Sequence, residues 1–203
     1  MSRPQKGEFG YIASEKKKYL IKIIVYIIIA AGIFLTGLLL NKFSKANIFT
    51  VLAILMVLPW ARAVVGYVVL IPYKSVSRER YDKVKSVVSE KQKLYTDMVI
   101  TSPETSMELD FLVKGDGAVV ALMGKVNNGF ATKLVMGDNG KDINYVSSYL
   151  TKGCRNWFPN CRVKVYESSM EEKFIRSIKE MEERETDPKE DEELMAFLHS
   201  IIV

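Results

Sequence analysis

Ile23–Leu40 is a run of 18 residues without a charge, and few folds can absorb it. As a helix rising 1.5 Å per residue it would reach about 27 Å, close to a hydrocarbon core about 30 Å thick. Tyr19, Leu20 and Ile21 extend the run, and Lys22 can carry its ammonium to an interface along its alkyl stem. A second apolar stretch, Ile48–Pro72, is interrupted only by Arg62, and the short polar link Asn41–Asn47 joins the two. The pair predicts a two-helix transmembrane hairpin, with spans at about residues 19–40 and 48–72. A cleaved signal peptide fits badly, because the first run is long and a second span follows at once.

Charge follows the same division. The net charge is +5, but residues 1–93 carry +11 and residues 94–203 carry −6. Together with the uneven distribution of apolar residues, that asymmetry excludes a single soluble globular domain, a disordered chain and a disulfide-dense secreted one. Six Lys/Arg precede the uncharged run Ile23–Leu40, two (Lys42 and Lys45) lie in the link, and seven follow the second span up to Lys93. Cations collect on the cytoplasmic side, so a multi-pass protein of the plasma membrane with both termini cytoplasmic is expected. The lipid bilayer is its first partner, and the basic flanks would attract anionic headgroups.

Arg62 has two readings. It lies three residues after Pro59 and beside Trp60. As an intramembrane cation it would mark a functional position, for instance against an acidic partner helix. Alternatively Pro59 breaks the helix, so that Trp60 and Arg62 lie near an interface and Ala61–Pro72 is tilted or interfacial. Gly32 and Thr36 form a small-xxx-small pair that would let another helix approach.

After Pro72 the pattern predicts a charged juxtamembrane helix over residues 73–98. Tyr81, Val84, Val88, Lys91, Tyr95 and Met98 recur at heptad spacing, which suits domain packing or a short coiled coil. A protein partner or a homo-oligomer would use residues 81–98 or the spans. An α+β domain follows at 99–185, with a mixed sheet of four to five strands flanked by helices. Met98–Thr101 reads as its first strand. Met107–Val113 and Ala118–Val126 alternate around Lys114-Gly115-Asp116-Gly117 as a hairpin, with partner numbers summing to 231. One face would then collect Leu109, Phe111, Val113, Ala118, Val120, Leu122 and Val126. The other would collect Leu112, Val119, Ala121 and Met123, with Glu108, Asp110 and Lys125 at its open end. Both faces are apolar enough to need cover.

Phe130–Met136 reads as a third strand and Cys161–Tyr166 as another. A helix between them carries the stripe Ile143, Val146, Tyr149 and Leu150. Ser168 and Ser169 each precede a glutamate by three residues, offering capping boxes to a helix striped by Met170, Phe174, Ile175, Ile178 and Met181. Asp187-Pro188 opens a last helix, within residues 186–203, carrying Leu194, Phe197, Leu198 and Ile201.

Little of the usual catalytic equipment is present. The one histidine, His199, lies in the last helix, which argues against histidine-assisted nucleophiles. Cys154 and Cys161 with a distant histidine cannot complete a zinc site. In a cytoplasmic domain they should be reduced and packed; in the opposite topology they could pair. No glycine run has the spacing of a phosphate-binding loop. Lys133, Lys141, Lys152, Arg155, Arg162 and Lys164, with Trp157 and Phe158 among them, make a locally basic middle that could track nucleic acid. Charges over residues 94–166 nearly balance, so that footprint is small.

Glu108, Asp110 and Lys125 remain, two carboxylates and a lysine on adjacent strands. Such a set can hold a divalent cation and orient water for phosphodiester attack. The order helix, strand, hairpin, strand, helix, strand resembles the core of the PD-(D/E)XK nuclease superfamily. The segments Glu108-Leu-Asp110-Phe-Leu-Val and Gly117-Ala-Val-Val-Ala-Leu-Met123-Gly-Lys125 are similar to its nuclease-related and Mrr-like branches, over residues 76–166. The resemblance implies Asp110 as metal ligand and Lys125 as catalytic lysine, with Mg²⁺ or Mn²⁺. Met123 stands where the family has an acid, and a thioether is a poor ligand for a hard cation. Glu108, opposite it in the expected pairing, could supply the missing carboxylate; otherwise Glu108 and Lys125 form a cross-strand ion pair. Three functions stay open: a non-catalytic membrane-anchored interaction or scaffold module with no cofactor, a membrane-attached metal-dependent nuclease, or a subunit of a transport or secretion assembly.

Overall fold

The structure, a computed structural model, describes residues 4–40, 48–102, 104–115, 117–125, 142–157 and 159–181, together with 196, 197 and 200. It separates into two compact units, Ser14–Ile71 and Met1–Ala13 with Pro72–Val203. The expected strand Phe130–Met136, the link Asn41–Asn47, Lys133, Lys141, His199 and most of the last helix lie outside the described residues.

Ser14–Ile71 is helical. Helix α1 (Tyr11–Leu40) supplies most of it, and α2 (Ile48–Leu55) and α3 (Val57–Leu70) follow. The stretches Tyr11–Leu40 and Ile48–Leu70 are long and apolar enough to cross a membrane. Their apolar side chains face outward: Leu39, Ile48 and Leu58 are each about 70% exposed (70%, 72% and 71%). The break at Met56 has a local cause. Pro59 has no N–H to offer the carbonyl four residues back, that of Leu55. Regular bonding resumes with the Trp60 N–H to the Met56 carbonyl at 3.3 Å.

The other unit is a four-stranded mixed sheet between two helical layers. The strands β1 (Lys93–Thr101), β2 (Ser106–Gly115), β3 (Ala118–Met123) and β4 (Arg162–Tyr166) lie in the order β1-β2-β3-β4. The first three are antiparallel, and β4 joins β3 in parallel. Parallel pairing needs a crossover, which contains α5 (Ile143–Trp157). Val146, Leu150 and Cys154 of α5 bury against Tyr95, Met98, Leu109, Leu112 and Ala121 on one sheet face. On the other face, Val84 of α4 (Arg78–Lys85) and Phe174 and Ile178 of α6 (Glu171–Lys179) bury against Phe111, Val113, Val120 and Leu122. Both faces are covered, as their composition requires. Phe197 also packs on the α5 side.

Several expectations are corrected. The juxtamembrane helix ends at Lys85, and β1 begins at Lys93, where a helix to residue 98 was expected. Tyr95 and Met98 share a sheet face despite a spacing of three, because Asp97 between them adopts φ 52° and shifts the alternation by one. That spacing imitates a helix. The hairpin pairs Gly115 with Ala118, so partner numbers sum to 233 near the turn, and the register slips between Leu109 and Phe111. The shift of two preserves the faces near the turn, but the slip moves Leu109 to the α5 side. Helix α6 starts from a 3₁₀ turn, Ser168–Met170, without a side-chain cap, where serine capping boxes were expected.

Candidate functional site

The irregularities in β1 and β2 meet. The β1–β2 ladder runs with partner numbers summing to 207 and omits only Asp97 and Asp110, which stand opposite one another. Together with Glu108 they place three carboxylates inside the domain, at 1%, 5% and 2% exposure. A bare buried carboxylate is costly, so each must be matched by donors.

Asp97 is matched by backbone. Its Oδ1 accepts the Val76 N–H at 2.8 Å and its Oδ2 the Gly10 N–H at 2.9 Å. The Ile12 N–H and the Ser75 hydroxyl also donate to it. Burial pushes its pKa up, against the pull of those four hydrogen bonds. Residues 7–13 precede the apolar hairpin in the chain and residues 72–76 follow it, so one side chain ties both segments to the sheet. The Thr96 N–H also donates to the Gly7 carbonyl at 2.8 Å, covering part of the β1 edge. Ile12 and Tyr73 are fully buried, and burial raises the Tyr73 phenol to about 12.

Glu108 accepts the Lys74 N–H at 2.8 Å through Oε1. Gly124 lies against its side chain: a Cβ there would come within 2.5 Å of Glu108 Cγ. Asp110 accepts from Arg80 Nη1 at 2.7 Å, while Arg80 Nε reaches Glu171 at 2.7 Å and Lys83 reaches Glu171 at 3.3 Å. The Arg80 guanidinium also stacks 5.5 Å from the Phe111 ring. Ser77 caps α4 through the Arg80 N–H, fixing the turn from which Arg80 projects. Burial raises the pKa of Asp110, and Arg80 only partly offsets it; Asp97 and Glu171 add to the rise. For Glu171 burial is overcome by Arg80 and Lys83, and its pKa is lowered.

The structure thus holds Asp110 against Arg80 of α4 and Glu108 against the Lys74 N–H, neither of them on the face of Leu112 and Met123. The slip at Asp110 is the reason. Lys125 follows the end of β3 and is exposed. Among the described residues, no group of three or more His, Cys, Asp or Glu side chains is placed to hold a metal ion. Asp97, Arg80 and Glu171 were not expected here. A lone acid beside the apolar run Met98-Val-Ile was the available signal for Asp97; Arg80 is one of several similar cations on its helix.

Elsewhere, Cys154 and Cys161 are buried free thiols that hydrogen-bond to each other. That bond raises Cys154 and lowers Cys161, which Arg155 and Lys114 also favour as thiolate. Arg162 and Lys164 are exposed, and Glu180 shares their pocket. Arg62 belongs to the helical unit, where it is exposed and lines a cleft with Lys22. A Cβ on Gly32 would meet nothing within 4 Å, whereas Gly66 takes the Tyr19 ring against its backbone.

Comparison with known protein families, characterised proteins and solved structures finds no match to this chain.

The carboxylates make the domain's pH response unusual. Asp97 and Asp110 have raised pKa values, so their contribution to stability is full below the free aspartate value. It is lost as pH rises through the raised values. Glu171 acts oppositely, its contribution fading as pH falls through its lowered value. As pH rises from the free aspartate range through the raised values, the domain's melting midpoint is expected to fall by a few degrees, and Asp110→Asn should flatten the fall. Thermal melts of the full chain in micelles, followed by circular dichroism, check it; a midpoint rising steadily with pH would contradict it.

Proposed function

We propose that this chain is a membrane-anchored interaction or scaffold module, its α+β domain held to a two-helix transmembrane hairpin with both termini cytoplasmic. The observation that carries this reading is how the carboxylates are used. Asp97 and Glu108 accept backbone N–H groups from the segments flanking the hairpin, and Asp110 is held by Arg80. A site built this way ties the segments that precede and follow the hairpin in the chain to the sheet. Membrane insertion is supported by apolar side chains that face outward along both helices, surface that water would leave unfavourable at about 25 cal/mol per Å². The Lys/Arg excess outside the link supports the orientation.

A metal-dependent nuclease is the second reading. The order α4-β1-β2-β3-α5-β4, with Glu108 and Asp110 both buried on β2, favours it. Against it, Asp110 is engaged by Arg80 and Lys125 is exposed beyond β3. Incubation of the full chain, in micelles, with DNA and RNA in Mg²⁺ or Mn²⁺ separates the two. No cleavage is expected; cleavage abolished by Asp110→Ala and by Lys125→Ala would establish the nuclease. A cysteine introduced as Ser44→Cys should react with impermeant maleimide only from outside the cell, which tests the orientation.

A further inference from the structure

Contacts within the helical unit descend α3 as they climb α1. Lys16 Nζ donates to the Ile71 carbonyl at 3.1 Å, the Tyr19 ring lies against Gly66, and Lys22 and Tyr26 share a cleft with Arg62 and Pro59. The helices are therefore antiparallel here, with Lys22 and Arg62 at one level. Lys22 is the last charge before the run Ile23–Leu40, and Arg62 is the one charge in Ile48–Pro72. From that level, 18 uncharged residues continue along α1 and 14 lead back to Ile48. As helix these reach about 27 Å and 21 Å, so both cations fall at one edge of a hydrocarbon layer. Tyr19 and Tyr26 flank them, as tyrosines do at that depth.

The cleft encloses about 580 Å³, and its lining carries two cations and two tyrosines but no carboxylate. The Lys22 ammonium lies 5.4 Å from the Tyr19 ring centroid. Glu15, the nearest acid along α1, is engaged by Lys18 at 2.8 Å. Two cations at a bilayer edge, with no carboxylate in the cleft among the described residues, call for an external anion. A guanidinium fork beside an ammonium suits the oxygens of a phosphate.

We propose that this cleft binds the phosphate of an anionic phospholipid headgroup, with Arg62 and Lys22 as charge partners and Tyr19 and Tyr26 as further hydroxyl donors. The proposal rests on the hairpin being membrane-inserted, and its test separates the two. The full chain is reconstituted in phosphatidylcholine vesicles with and without phosphatidylglycerol, re-extracted gently, and its retained lipid counted by native mass spectrometry.

Phosphatidylglycerol is expected to be enriched over phosphatidylcholine by about tenfold, and Lys22→Gln with Arg62→Gln should bring the ratio close to that of the vesicle. Arg62→Lys, which keeps the charge but not the fork, should retain part of the enrichment. Lys17→Gln with Lys18→Gln removes equal charge from the same flank outside the cleft and should leave enrichment intact. Equal enrichment in the cleft variant and the natural chain would overturn the site, as would equal loss in the flank variant, which would indicate diffuse attraction. Inorganic phosphate added to phosphatidylcholine vesicles is expected to raise the melting midpoint little; a rise matching that from phosphatidylglycerol would make free phosphate the ligand and overturn the lipid assignment. Alkaline carbonate should leave the chain in the vesicles. If carbonate extracts it, the membrane reading fails and the site with it; if it stays but shows no enrichment, the site alone fails.

Discussion

Asp97→Ala should destabilise the domain by about 3 kcal/mol or more, and the damage should begin at the segments flanking the hairpin. Four donors lose their acceptor: the N–H groups of Gly10, Ile12 and Val76 and the Ser75 hydroxyl. A buried donor left unmatched costs about 1–3 kcal/mol, and relief from burying the carboxylate offsets part of the sum. Alanine also fits poorly at φ 52°. Asp97→Asn removes that last objection, since asparagine tolerates the left-handed region. It should recover part of the loss, because its amide oxygen still accepts, but not all of it, because an amide turns the second acceptor into a donor. Asp97→Gly relieves the backbone and restores no acceptor, so it should resemble alanine more than the natural chain. Hydrogen exchange of the Gly10, Ile12 and Val76 amides is the direct readout. Acceleration there before global unfolding is expected, and unchanged exchange would refute the clamp. Against a typical total stability of about 5–15 kcal/mol, the loss is a large fraction.

The same residue shows what could be read from the sequence and what could not. The two apolar helices, the central hairpin, and the stripes of α5 and α6 were legible because each follows one uninterrupted period. The beginning of β1 was hidden. A strand with an extra residue at Asp97 puts Tyr95 and Met98 three apart on one face, the spacing of a helix. The matching slip at Asp110 took Glu108 and Asp110 off the face of Leu112 and Met123, a change that no alternation rule anticipates. Of the candidate site, the two carboxylates on β2 were recognisable as acids inside an apolar strand. Their partners were not, because they come from remote segments. The Lys74 amide has no side-chain signature, and Arg80 is one of four Lys/Arg on α4. The burial of Ile12 was equally hidden, since it lies in the basic stretch that precedes the apolar run.

Arg80→Met is expected to cost about 3 kcal/mol near neutral pH, toward the lower end of what breaking a buried ion pair costs, since Arg80 is partly exposed. Methionine can replace the stem that lies near Phe111, so the loss reports mainly the Asp110 carboxylate, left 5% exposed without its cation. Three consequences distinguish this from simple loss of packing. Asp110→Asn alone should be mild, because its amide oxygen can still accept from Arg80. The double variant should recover most of the stability lost in Arg80→Met, giving a coupling of at least about 1 kcal/mol in a double-mutant cycle. Acidification should narrow the gap between Arg80→Met and the natural chain, because Asp110 is then protonated and needs no cation. The cycle also bears on function. If Asp110 were built to hold a divalent cation, removing Arg80 would open the carboxylate, and Mn²⁺ would stabilise Arg80→Met but not its Asp110→Asn derivative. If Asp110 serves the fold, Mn²⁺ should leave both midpoints unchanged, and charge removal at Asp110 alone should restore the variant. Rescue by the metal in place of rescue by asparagine would move the site from anchoring to chemistry.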